Sequence, residues 1–200
     1  MSRRISFWLF ALAVFAAAGN SVWDFPVSAD SGELRDALRA LSEPEKISGS
    51  FKQIRTVAKI NRSFESTGTF EISEKDGIVW NVEKPFPSMM IVTDSSVLQI
   101  DADGNRTLVA SGDNAVFREI SRTMRAVFLG NPDALRERFE IYFVRNKKNG
   151  EWHVGLIPRE NVVRSAMRSV ELQGSKNLRK VVLVDGEGNK LVYEFGQIGK

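Results

Sequence analysis

Alternation with a period of two runs through most of this chain, and it restricts the fold to antiparallel sheet. Ile47-Ser-Gly-Ser-Phe-Lys-Gln-Ile-Arg-Thr-Val57 reads as a first strand. Ser63 to Ile72 reads as a second, with Phe64, Ser66, Gly68, Phe70 and Ile72 on one face. Lys75-Asp76-Gly77 marks a tight turn, after which Ile78, Trp80 and Val82 alternate with Val79 and Asn81. Pro85-Phe86-Pro87 interrupts the ladder, because proline has no N–H to donate within a sheet. Met89 to Thr93 and Val97 to Ile100 follow as strands, and Asp103-Gly104-Asn105 turns into Thr107 to Ala110.

Two stretches change period. From Ser31 to Leu41, Leu34, Ala37, Leu38 and Leu41 recur at helical spacing, with Arg35, Asp36 and Arg39 opposite. Ser31 is placed to cap that helix and Pro44 follows its end. From Asn114 to Leu129, Phe117, Ile120, Met124, Val127 and Phe128 form an apolar stripe, with Arg118, Arg122 and Arg125 on the other side. Gly130-Asn131-Pro132 ends this second helix, and Asp133 to Arg138 adds a turn. Strands resume at Phe139 to Arg145 and Glu151 to Ile157, around the loop Asn146 to Gly150. After a loop at Pro158 come Met167 to Leu172, Leu178 to Val184 and Lys190 to Phe195. The expected fold is mainly β with helices (α+β). About ten or eleven strands form an antiparallel meander that curls into an incomplete barrel, a half-barrel, with one N-terminal and one central helix.

The N-terminus carries an address. Arg3 and Arg4 precede an apolar run from Ile5 to Ala18, too short to span a bilayer comfortably and typical of a cleaved secretory signal. Ala16-Ala17-Ala18 permits a cut before Gly19, and Val27-Ser28-Ala29 permits one before Asp30. The second is preferred, because the first amphipathic helix begins just after it. The expected organisation is a signal peptide over residues 1–29 and a single domain over residues 30–200. About 170 residues suffice for one domain with a sizeable core. The expected location is the periplasm of a Gram-negative bacterium.

Composition removes several function classes. The chain has no Cys, so a disulfide framework, a Cys-based metal site and a lipobox are absent. A net charge of +3 does not suggest nucleic acid. Gly-x-Ser-x-Gly, Ser-x-x-Lys and His-Glu-x-x-His are all missing. The single His153 falls inside a strand, without another imidazole to complete a triad or zinc site. Asp101-Ala-Asp103-Gly104-Asn105 superficially resembles a calcium loop, but its Gly comes too early and Gly112 stands where the closing Glu belongs. A hairpin turn is the better reading. No catalytic residue, metal or cofactor is expected. A carboxylate-based hydrolase is kept only as a third reading. The informative residues are apolar: 13 Phe and 5 Met, many on strands or on the central helix.

The order of short motifs resembles LolA-type outer-membrane lipoprotein carriers. Gly49-x-Phe51-x-Gln53, Gly68-Thr-Phe70, Gly77-Ile-Val-Trp80, Lys84-Pro85-Phe86-Pro87 and Val92-Thr-Asp94 appear in that order. The pair Val184 to Asn189 and Lys190 to Phe195 closes the series. The resemblance runs from about Leu34 to Ile198. It implies helices acting as a lid over an apolar cavity. It also implies a monomeric carrier that accepts an acylated lipoprotein, or another acyl lipid, from an inner-membrane donor complex and delivers it to an outer-membrane acceptor without covalent chemistry. Glu74 and Lys75 stand where the family commonly has Arg-Pro, whose Arg ties sheet to lid. Ser95 to Gln99 replaces a usual Asp-Gly turn and aromatic residue. These departures resemble a divergent branch. Strand parity then nominates the lipid-binding side chains: Phe51, Phe70, Ile78, Trp80, Met89 and Ile91 on strands, and Phe117, Ile120, Met124 and Phe128 on the lid. The alternative on the same fold is a sensor or adaptor that binds a membrane-protein partner without transport.

Overall fold

The computed structural model describes residues 21–28, 31–42, 46–73, 77–93, 96–110 and 132–199. Within them, eleven strands form one antiparallel sheet. The first six are β1 (Lys46–Val57), β2 (Arg62–Ser73), β3 (Gly77–Lys84), β4 (Ser88–Val92), β5 (Ser96–Ile100) and β6 (Arg106–Ala110). The other five are β7 (Phe139–Arg145), β8 (Trp152–Pro158), β9 (Met167–Gly174), β10 (Leu178–Asp185) and β11 (Lys190–Gly199). Among the described residues three α-helices accompany them: α1 (Gly32–Ser42), α2 (Pro132–Arg138) and α3 (Asn161–Ala166).

The spatial order is β6-β5-β4-β3-β2-β1-β11-β10-β9-β8-β7. Two meanders therefore run outward from a central pair, β1 and β11, and the sheet stays open at β6 and β7. The expected incomplete barrel is present, but it is not one continuous meander. The chain leaves at the β6 edge and re-enters at the β7 edge, and the register matches Thr56 with Lys190 and Ser48 with Gly199. A local alternation pattern carries no information about such a distant pairing.

One apolar face of this sheet is the core. Leu34, Ala37 and Leu38 of α1 and Leu135 of α2 join the inward residues of β7, β8 and β9 in one cluster, with Phe139, Val154, Leu156 and Leu172 essentially inaccessible. Pro132 sits at the first helical position of α2, where its missing N–H costs nothing. The same cluster continues through Phe51, Phe70, Ile72, Ile78 and Trp80. Removing that much apolar surface from water is the main stabilising term. Where a loop was expected after Pro158, α3 forms instead. Val163 anchors it in the core, and the Arg164 Nε and Nη2 groups donate to the Pro158 carbonyl at 2.9 and 2.6 Å. One buried apolar side chain in six residues is too little periodicity to announce a helix.

Residues 21–28 pack against the sheet. Val22 is buried, and Trp23 packs edge-on against Tyr142 at 5.3 Å between ring centroids. The Phe143 N–H donates to the Phe25 carbonyl and the Val27 N–H donates to the Ile141 carbonyl, each at 2.9 Å. Pro26 bridges Tyr142 between them. This segment covers the otherwise open edge of β7.

Candidate functional site

In an antiparallel ladder, directly paired residues share a face. Phe70 pairs with Trp80, and Ile72 with Ile78. Phe51 pairs with Gly68 on one side and with Phe195 on the other. Gln53 pairs with Tyr193. These pairings gather five aromatic rings from four strands. Trp80 is their centre, with centroids 4.5 Å from Phe51, 5.0 Å from Tyr193, 5.6 Å from Phe70 and 6.2 Å from Phe195. Phe70 and Phe195 also meet at 5.1 Å.

Of the sequence-nominated residues, Phe51, Phe70, Ile78 and Trp80 therefore come together, and all four are buried. Met89 and Ile91 do not join them. Met89 pairs with Asn81 and Ile91 with Val79, on the opposite face, whereas Met90 pairs with Trp80 and Val92 with Ile78. The correction is a slip of one residue. Alternation cannot count across the Pro85-Phe86-Pro87 break, and one residue reverses every side chain beyond it. Phe117, Ile120, Met124 and Phe128 lie outside the described residues, as do Glu74 and Lys75. Tyr193 and Phe195 escaped sequence reasoning. Their signal is the i, i+2 spacing of Leu191, Tyr193 and Phe195, which marks an apolar face without saying that it meets β1.

The aromatic cluster has two polar features. The Trp80 indole Nε1–H is buried and has no hydrogen-bond acceptor among the described residues. Buried donors are seldom left this way. By contrast, the Trp152 indole N–H donates to the Ser175 carbonyl at 2.7 Å. The Tyr193 phenol is pushed up to about 12 by burial, with the Arg55 charge pulling weakly the other way.

Beside Tyr193 the cluster opens into a cavity of about 260 Å³ reaching from β1 across β11 to β10, lined by Gln53, Arg55, Leu183, Leu191 and Tyr193 and by the turn at Asp185, Asn189 and Lys190. His153 lies on the other face of the sheet, its Nε2 2.9 Å from the Glu171 Oε2, and takes no part in this site. Among the described residues, no group of three or more His, Asp or Glu side chains is disposed to hold a metal ion. Among them also, no helix is long and apolar enough to cross a membrane.

An open antiparallel half-barrel with a core-facing aromatic cluster defines the class: a single-sheet scaffold whose distinctive feature is an apolar, aromatic inner face. The sequence matches the family described as "Outer membrane lipoprotein carrier protein LolA" over residues 42–200. The chain belongs to that family, which is a family of carriers and not of enzymes.

No curated protein matches the chain. Similar solved structures include a LolA superfamily protein from Nitrosomonas europaea, with 8% identity, TM-score 0.46, and coverage of 86% of this chain and 93% of that one. A DUF1329 family protein from Desulfovibrio piger has 8% identity, TM-score 0.44, and coverage of 83% and 90%. A chain of the Pseudomonas aeruginosa MucA/MucB complex has 10% identity, TM-score 0.42, and coverage of 84% and 56%. Likenesses this distant add nothing about function to the family match.

Proposed function

We propose that this protein is a periplasmic carrier that takes the acyl chains of a lipoprotein or another lipid onto the aromatic face around Trp80 and shuttles them from the inner to the outer membrane. The observation that carries this reading is the Trp80 indole N–H, buried among four aromatic rings without an acceptor among the described residues. A site for an ester- or amide-linked acyl chain needs apolar walls and one donor for the carbonyl, and this cluster offers both. Family membership supports the same assignment. Each buried methylene is worth about 0.8 kcal/mol, so a sixteen-carbon chain resists crossing water by on the order of 10 kcal/mol. A carrier must match much of that and still release its load. Phe51, Phe70 and Trp80 are buried in the described conformation. Loading therefore requires side chains to part around the cargo, and the bound and empty states differ in packing. The reading involves no covalent step and no cofactor. Its partners are an inner-membrane donor complex and an outer-membrane acceptor, and the working form is a monomer.

The same reading places the end of the export signal before Gly19 rather than before Asp30. A cut before Asp30 removes Trp23 and the two hydrogen bonds that cover the β7 edge. The intact mass of the exported protein decides between the two sites.

Contact quenching tests the carrier assignment. A bromine-labelled acyl chain added to the protein is expected to quench tryptophan fluorescence. Most of that quenching disappears in Trp80→Phe and persists in Trp152→Phe, whose indole is already hydrogen-bonded. Quenching that ignores Trp80, or none at all, sinks the proposal.

A further inference from the structure

Along β1 the inward face changes character within a few residues. Phe51 belongs to the aromatic cluster, Gln53 is next on that face, and Arg55 follows. Opposite Arg55 stand Phe64 on β2 and Leu191 on β11. Phe64 is 54% exposed although it faces inward, so the apolar surface reaches the solvent at this end. The cavity beside Tyr193 lies at that boundary and shares Tyr193 with the aromatic cluster.

Its charges are unequal in availability. The Asp185 carboxylate is already engaged: Oδ1 accepts from the Glu187 and Asn189 backbone N–H groups at 2.9 Å, and Oδ2 from the Asn189 side chain at 2.8 Å. The Asn189 Oδ1 accepts in turn from the Ala58 N–H at 3.0 Å, which ties the β10–β11 turn to the end of β1. Arg55 has no ion pair among the described residues, and Lys190, paired with Thr56 and Val184, belongs to the other face of the sheet. An apolar cluster thus continues into a small cavity where the Arg55 cation is available and the carboxylate is occupied. Guanidinium is the side chain best shaped to hold a carboxylate or phosphate through paired N–H donors.

We infer that this cavity is a headgroup site, and that the cargo is an acyl lipid bearing an anionic carboxylate or phosphate, held by Arg55 while its chain lies on the Trp80 cluster. The inference rests on the carrier reading and narrows it, since a cargo whose polar end is neutral has no use for Arg55.

Titration calorimetry at low salt with hexadecanoate, lysophosphatidylglycerol, hexadecanol and inorganic phosphate tests it. The native protein should bind both anionic lipids more tightly than hexadecanol. Arg55→Gln should weaken the two anionic lipids by about tenfold and leave hexadecanol unchanged, as expected for loss of one charge-assisted contact. Arg55→Lys should restore part of the difference, and raising the salt should shrink it. Lys190→Gln, on the other face of the sheet, should leave the selectivity unchanged. If hexadecanol binds as well as hexadecanoate, or loses as much in Arg55→Gln, the headgroup site is wrong and the acyl-carrier reading survives. If phosphate alone saturates the cavity and no lipid competes with it, the site binds free anions and the inference fails. If no acyl probe binds, the carrier reading falls and takes this inference with it.

Discussion

Asp101 and Asp185 perform the same local task. Each begins a five-residue turn, Asp-x-(Asp/Glu)-Gly-Asn, at Asp101 to Asn105 and Asp185 to Asn189. In both, Oδ1 accepts two backbone N–H groups and Oδ2 accepts the Asn side chain. In both, the Gly has a positive φ, +83° at Gly104 and +85° at Gly188. A Cβ at Gly104 meets nothing within 4 Å, and one at Gly188 meets only Ala58 at 3.9 Å. Gly104→Ala and Gly188→Ala should therefore each cost about 1 kcal/mol through backbone strain alone, measured by urea unfolding. The Asn105 side chain, then its backbone N–H, hold the Asp101 carboxyl below its usual 3.8. The stabilisation from that contact is complete above pH 3.8 and disappears as the pH falls through the lowered value. Carbon-detected titration should show the Asp101 midpoint moving up in Asn105→Ala. Tyr193 has the opposite sign. The unfolded phenol ionises near 10.0 and the buried one at about 12. Stability therefore falls as the pH rises past 10, because the unfolded chain sheds a proton that the native state keeps. Tyr193→Phe should flatten that alkaline loss in pH-dependent unfolding. The turn at Asp101 was legible in the sequence because five consecutive residues contain the whole motif.

At the scale of elements, strands were legible where alternation was unbroken and uncertain where it was interrupted. Phe139–Arg145 was read to the residue, and β1, β2 and α1 to within one. Past Pro87 the same reasoning put Met89 and Ile91 on the wrong face, because a loop with three residues and one with four look alike in composition. The segment at 21–28 gave no periodic signal at all. It is held by an edge, not by a face, and its partner β7 lies more than a hundred residues along the chain. Gly155 exists for this contact: a Cβ there would approach the Trp23 ring to 2.6 Å. Trp23→Ala should cost about 2 kcal/mol, below the range for a fully buried aromatic ring. It should also accelerate amide exchange at Phe143, whose N–H donates to the segment. Protection at Phe143 equal to that of the native protein would mean that the segment does not cover β7.

For the molecule as a whole, the decisive pairing is β1 with β11. It joins two meanders into one sheet, and a single core cluster spans both. Trp80 and Trp152 report on opposite sides of that junction. Their fluorescence, isolated in single-tryptophan variants, should fall in one coincident urea transition. Two separated transitions would mean that the halves are stable apart. The central pairing also assembles the candidate site, since Phe51 and Gln53 come from β1 and Tyr193 and Phe195 from β11.

The sequence by itself determined the β class, the strand spans, the turn chemistry, the lack of familiar catalytic motifs and the carrier resemblance. Each of these is written in residues close together along the chain. Tertiary structure alone decided that Tyr193 and Phe195 complete the ring around Trp80, that Met90 and not Met89 stands on that face, and that Arg55 meets the β10–β11 turn across a cavity. Those facts depend on which distant strands pair and in what register. A two-residue period is silent about both, because every strand with that period is an equally good partner until burial and the loops choose among them.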